Sequence, residues 1–243
     1  MNKPRLIQLV KKSGLAEKRE EAALLIKSGR VAIDGKVVTN PNFQVRPSTH
    51  KITIDGKPLK LVEEKLYFIL NKPPGFSSQK ESGKKNVLDL IKIQDEKLKN
   101  TLFPVGRLDE DTSGLIIITN DGSLVHEILQ PVKEVWKTYV ATTNKDVPEA
   151  GLAKIRKGIT IQLGHNQWFD CMSAFIEQIG PKRYEIKIRE GKKRQVRRML
   201  EAVGVHTEKL HRQAIGKLAL PHGLRIGEYK QISKKEIEKI FEK

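Results

Sequence analysis

The run LIIIT, Leu115–Thr119, follows directly on the most polar loop of the chain, GRLDEDTSG, Gly106–Gly114. An uncharged stretch of Leu and β-branched Ile is the composition of a strand covered on both faces, because a strand with one wet face alternates apolar and polar residues. Such a strand needs partners at both edges and layers above and below, so the chain must build a sheet domain around it. One Arg, three consecutive acids and two glycines at the entrance to that strand make a surface turn, a metal loop or an active site.

At 243 residues the chain has room for a small domain and a larger one. Apolar runs such as Ala22–Ile26 and Leu66–Leu70 are far shorter than the roughly 20 residues of a membrane span, so no membrane partner is expected. The N-terminal MNKPRLIQLVKKSG lacks the apolar centre and small-residue cleavage site of a signal peptide, which reads as cytoplasmic. A single cysteine, Cys171, allows no intramolecular disulfide and no thiolate zinc cluster. The 46 Lys and Arg against 29 Asp and Glu leave a net charge of +17. A field of that sign attracts a polyanion and points to nucleic acid; the bland alternative is a solvated basic surface.

Residues 1–60 carry 13 Lys and Arg against 5 acids and form the first unit. PRLIQLVKKSG predicts a short helix ended by Gly14, and AEKREEAALLIKSG a second ended by Gly29. RVAIDGKVV and KITIDGKPL each predict two strands joined by an Asp-Gly turn. Helices, glycine stops and turns together resemble the S4-type RNA-binding domain, and Lys18, Arg19 and Arg30 are the expected RNA contacts of that module.

The second unit, 61–243, completes an α+β chain: the small S4-like domain is followed by a larger domain with a mixed, mainly antiparallel sheet flanked by helices. Strands are predicted at Leu66–Leu70, Leu115–Thr119, Lys137–Ala141 and Tyr184–Ile188. Helical pieces are predicted at Asn86–Ile91, Ser123–Leu129 and Pro148–Arg156, with an amphipathic helix in the closing SKKEIEKIFEK. The polar Gln79–Asn86 is the expected mobile loop.

Asp109, Asp111, Ser113 and Gly114 fit the opening of a calcium loop, but the position that needs a bidentate carboxylate falls on Asn120 and the flank is strand-like rather than helical. The six histidines show no metal-ligand spacing. In KIREGKKRQVRRMLEAVG, a helix from about Arg194 places Val196, Met199, Leu200 and Val203 on one face. Arg194 and Arg198 then point away, and Arg197 falls at the rim of the buried face, an odd place for a charge unless it meets a carboxylate. The bland reading of these arginines is a sequence-independent phosphate patch.

In chain order, NKPPG (Asn71–Gly75), GRLDEDTSGLIIITNDG (Gly106–Gly122), KTYVA (Lys137–Ala141) and EGKKRQVRRM (Glu190–Met199), with the later LHRQAIGKLAL, resemble the ribosomal pseudouridine synthases of the RsuA type. The resemblance implies a pseudouridine synthase fold that isomerises a uridine in ribosomal RNA, or in a ribosomal assembly intermediate, as a monomer and without metal or cofactor. It makes Asp109 the catalytic residue, with Arg197 pairing its carboxylate and Tyr139 packing on the target base. Arg107 supports the loop and Leu220 supplies an apolar wall. Lys72, beside the stiff Pro73-Pro74, supports the cleft and contacts RNA, as do Lys192, Lys193, Arg194 and Arg198. EGKKRQVRRM leans towards the branch that acts on 23S rather than 16S rRNA. The alternative is a non-catalytic RNA-binding factor of ribosome assembly.

Overall fold

The structure is a computed structural model describing residues 3–79, 83–129 and 135–242. The chain divides into two compact units, Met1–Lys65 with Lys92–Phe103, and Leu66–Ile91 with Pro104–Lys243.

In the first unit, α1 (Leu6–Lys12) and α2 (Arg19–Lys27) lie against a sheet of order β2–β1–β3–β4, formed by β1 (Val31–Ile33), β2 (Lys36–Val37), β3 (Ile52–Ile54) and β4 (Lys57–Pro58). Leu6, Val10, Ala22, Ile26, Val31 and Ile54 belong to its core. Both hairpins turn on Asp-Gly pairs with positive φ at each residue, 50° and 81° for Asp34 and Gly35, 51° and 75° for Asp55 and Gly56, the geometry that matches the twist of the flanking strands. The helix α3 (Glu96–Thr101) joins this unit, although the sequence placed it in 61–243. Its reason is a long-range fit: Gly14, at φ +73°, sits so close to the Lys97 backbone that any Cβ would collide with it. The Asn100 amide also donates to the Gly14 carbonyl at 3.2 Å.

The second unit contains β5 (Tyr67–Lys72), a 3-10 turn at Val87–Leu90, β6 (Phe103–Val105) where the chain returns, β7 (Thr112–Thr119), α4 (Gly122–Leu129), β8 (Lys137–Thr143) and α5 (Glu149–Lys157). It continues through β9 (Thr160–Gly164), β10 (Gln167–Asp170), β11 (Phe175–Gly180), β12 (Arg183–Ile188), α6 (Gln195–Glu201), β13 (Thr207–Ile215), β14 (Leu218–Ala219), β15 (Tyr229–Gln231) and α7 (Lys234–Glu238). The main sheet has the order β11–β12–β8–β13–β7–β5–β15, and along it only β13 and β7 run parallel. This is the α+β, largely antiparallel architecture expected. Residues 80–82 of the polar segment Gln79–Asn86 lie outside the described residues.

Strand β7 is central, and both of its faces are covered. Leu115 and Ile117 pack with Tyr67, Ile69, Leu124, Ile128, Ile237 and Ile240, while Ile116 and Ile118, on the opposite face, are also 0% exposed. That is why the run is aliphatic without alternation. At its start, Gly114 (φ +106°) pairs with Arg212 so closely that a Cβ would strike the Arg212 backbone. Glycine there permits the parallel β7–β13 join.

Candidate active site

The polar loop is tied to the core from beneath. The Leu108 N–H donates to the Ser78 hydroxyl at 3.1 Å, and that hydroxyl donates to the Leu108 carbonyl at 2.9 Å. The Gly75 N–H donates to the Glu110 carbonyl at 2.8 Å, and the Thr112 N–H to the Asp109 carbonyl at 3.0 Å. Lys72, at the end of β5, completes the fixture: its ammonium donates to the carbonyls of Thr112 (2.8 Å), Pro73 (3.0 Å) and Glu110 (3.1 Å). These bonds satisfy backbone groups that a loop against a buried strand would otherwise leave unpaired.

Lys72 is therefore a correction to its expected RNA contact. It is 0% exposed, and its charge is spent on three carbonyls. Burial pushes its pKa down to about 8, partly offset by Asp111, Glu110 and Asp109. Its observed place is against the polar loop, bound to the carbonyls of Pro73, Glu110 and Thr112.

Asp109 is half-buried on this fixed loop, and among the described residues its carboxylate has no hydrogen-bond or ion-pair partner. Its charge nevertheless acts on both Lys72 and Arg197. Arg107 is exposed and donates to the Gln79 side chain at 3.0 Å, so it braces the loop from outside.

The arginines of α6 meet the loop one acid further on. Arg197 donates from Nη1 to the Thr207 carbonyl (3.0 Å) and from Nη2 to the Asp111 carbonyl (3.1 Å), with Nη2 3.3 Å from the Asp111 carboxylate. The Arg194 Nη1 donates to the same carboxylate at 3.0 Å. The expected Arg197–Asp109 pair is thus corrected to Arg197–Asp111, because Asp111 lies where the loop enters β7, beside the start of α6. Arg197 is also more than a rim residue: it is buried with Val196, Met199 and Leu200. Burial lowers its pKa, and Asp111 opposes that. Arg194, expected at a phosphate, takes up φ 55° as the helix cap, a sparse region for a non-glycine residue, and turns to Asp111. Arg198 is half-buried with one guanidinium nitrogen unpartnered. Lys192 and Lys193 are exposed.

Asp111 serving two arginines, and the Ser113 hydroxyl lying 2.9 Å from His211 Nδ1, leave the calcium-loop positions pointing at different partners. Burial lowers the His211 pKa, which favours a neutral imidazole.

Tyr139, on β8, is buried with its Cα paired to Arg212 on β13 and to Ile186 on β12. Arg212 is a residue that the motifs did not single out. It is 4% exposed, donates from Nε to the Leu115 carbonyl at 2.8 Å, and lowers the pKa of Lys72 and of Lys137, the latter falling to about 8 chiefly through burial. The signal was an inward position in an alternating strand, visible only once the strand's register is known. Leu220 is partly buried against the Leu115–Ile117 core, with its N–H donating to the Gln213 carbonyl at 2.9 Å. The structure thus brings Asp109, Asp111, Lys72, Arg194 and Arg197 to one loop and Tyr139 alongside Arg212. In the first unit, Lys18 and Arg19 are exposed at the start of α2, while Arg30 is held by a bidentate pair with Asp55 at 2.6 and 2.9 Å.

The second unit thus fixes Asp109, without a partner among the described residues, on a loop whose neighbouring acid, Asp111, takes up two arginines. Comparison with known proteins gives the class of the chain. The RNA pseudouridylate synthase family matches residues 66–202, and the S4 domain matches residues 4–50. The chain is 35% identical to the ribosomal small subunit pseudouridine synthase A of Escherichia coli (strain K12) over 227 residues, 93% of this chain and 95% of that one. It is 35% identical to the ribosomal large subunit pseudouridine synthase B of Bacillus subtilis (strain 168) over 242 residues, 97% and 95% of the two chains. A crystal structure of a pseudouridylate synthase superposes with a TM-score of 0.70 at 30% identity, covering 97% of this chain and 99% of that one. This chain belongs to the RNA pseudouridylate synthase family, with an N-terminal S4 domain, and is an isomerase.

Proposed function

We propose that this chain isomerises a uridine of ribosomal RNA to pseudouridine, with Asp109 as its nucleophile or base. The observation that carries the reading is a half-buried carboxylate left without a partner on a loop that Lys72 and Ser78 hold in place. The reaction breaks the bond from N1 to the ribose and forms one from C5, while C5 loses a proton and N1 gains one. Atoms are conserved, so no second carboxylate to activate water is needed, unlike glycoside hydrolysis. A single anion can serve by stabilising or attacking the sugar centre, by adding to the pyrimidine ring, or by removing a ribose proton to give a glycal.

Arg197 and Lys72 set positive charge beside the Asp109 carboxylate. Tyr139 packs on the base, Leu220 forms an apolar wall, and the S4 unit docks the RNA through Lys18 and Arg19. We further read the protein as a cytoplasmic monomer acting on rRNA or an assembly intermediate, without metal or cofactor; no described helix is long and apolar enough to cross a membrane. The lean towards 23S rRNA rests on Glu190–Met199 alone, since the small-subunit and large-subunit relatives are each 35% identical.

The test is to map pseudouridine at every position of both rRNAs in cells with the gene, without it, and with Asp109→Asn. One site present only with the intact gene is expected. Unchanged modification in all three strains overturns the reading.

A further inference from the structure

Beyond β12 the chain shows an unusual surface. Among the described residues, three of the four cations lying over aromatic rings gather there. Arg189 stacks 4.9 Å from the Trp136 ring centre, Lys192 lies 4.4 Å from that of Phe169, and Lys187 4.8 Å from that of Phe175. Trp136 and Phe175 are 39% and 41% exposed, so two large rings face solvent with positive charge beside them.

Strand register puts Trp136, Phe175, Lys187 and Arg189 on one face, while Phe169 lies on the separate β9–β10 sheet. Phe175 on β11 pairs with Lys187 on β12, and Lys187 pairs with Thr138 on β8. The two-residue period then sends Trp136 and Arg189 to the same face, and Lys137 and Tyr139 to the other. The Arg189 guanidinium also donates to the Ser173 hydroxyl at 3.3 Å, which ties the segment before β11 to the group.

Charge separates the possible occupants. Lys187–Lys193 holds four cations and one acid, Glu190, whose carboxylate already accepts the Met172 N–H and the Gln195 amide, both at 2.7 Å. Glu185, which pairs with Lys187 at 2.9 Å, and Glu177 opposite it lie further back along the strands, so the surface becomes basic towards its β12 exit. From there the chain runs through Lys192 and Lys193 to Arg194 and its Asp111 partner, on the loop that carries Asp109. Alternating rings and cations suit an unpaired polynucleotide, whose bases offer π-faces and whose phosphates seek charge; a duplex hides its base faces.

We propose that Trp136 and Phe175, with Arg189 and Lys187, form a stacking platform for an unpaired stretch of the RNA substrate, on the sheet face opposite Tyr139. This rests on the rRNA reading above and adds that part of the bound RNA is single-stranded.

The test uses the full chain carrying Asp109→Asn, so that binding is read without turnover. With Trp168→Phe, Trp136 is the only tryptophan remaining, since the chain has two. Its fluorescence should be quenched by an oligouridylate of about 12 nucleotides but not by a duplex of that length or by heparin, a polyanion without bases. In the chain that keeps Trp168, Trp136→Ala with Phe175→Ala should weaken the single strand about tenfold or more, and Trp136→Tyr with Phe175→Tyr should restore it to within about twofold. Equal quenching by heparin, or undiminished oligouridylate binding by the alanine variant, overturns the proposal. So does weakened binding to ribosomal particles with oligouridylate binding intact, which would give the face to a protein partner. Failure here leaves the mapping of pseudouridine untouched, and failure of that mapping leaves this binding measurable.

Discussion

Arg197 closes its ion pair on Asp111, with Nη2 3.3 Å from the carboxylate and 3.1 Å from the Asp111 carbonyl. Asp109, two residues earlier on the loop, has no hydrogen-bond or ion-pair partner among the described residues while remaining in the field of the same guanidinium.

Asp109→Asn keeps the shape of the side chain but removes its charge. Pseudouridine formation should fall by about 10³-fold or more, with RNA affinity nearly unchanged. Single-turnover assay beside filter binding checks both halves. Loss of binding in proportion to activity would make Asp109 a docking residue.

Arg197 is nearly fully buried, whereas Asp111 is 48% exposed at its side chain. Arg197→Ala should therefore destabilise the fold by about 3 kcal/mol, by leaving the Thr207 and Asp111 carbonyls without their donor and opening space in the core. Asp111→Ala should cost about 1 to 2 kcal/mol. Arg194→Ala, at a half-exposed pair, should cost under about 1 kcal/mol. Urea denaturation of the three variants gives the ranking directly.

Gly114 and Gly75 both hold positive φ, 106° and 81°, but only Gly114 has backbone where a Cβ would go. Gly75→Ala should cost about 1 kcal/mol from conformation alone. Gly114→Ala should cost several times more and disturb the β7–β13 join. Comparable melting temperatures for the two variants would contradict the close approach.

Lys137 is pushed down to about 8 from an ordinary 10.5, mainly by burial. Between those values the unfolded chain binds the proton that the folded chain has lost, so stability rises with pH in that window. Wild type should gain stability relative to Lys137→Met as pH rises through 8 towards 10. A pH-independent difference in denaturation midpoint would refute the shift.

Lys18 and Arg19 stand exposed on the S4 unit without the acidic partner that occupies Arg30. Replacing both with Ala should weaken rRNA binding and flatten its logarithmic salt dependence by about one to two units of slope. An unchanged slope would remove these two residues from the phosphate contacts.

Much of this arrangement was legible before any coordinates. The Asp-Gly turns, the α6 face of Val196, Met199 and Leu200, the buried β7 run and the placing of Asp109 on a loop before it all follow from local rules of turn chemistry and periodicity. So did the family, because four motifs in order carry it. The burial of Lys72, the partner of Arg197, the inward Arg212 and the docking of α3 at Gly14 were not legible. Each depends on which distant segments meet. Strand register decided that Arg212 backs Tyr139 and that Ser113 touches His211, and neither pair is near in sequence. Local sequence determined the elements and which charged groups they carry; tertiary structure decided which of those charges the scaffold pairs and which it leaves unpaired, because burial and long-range pairing set their energies.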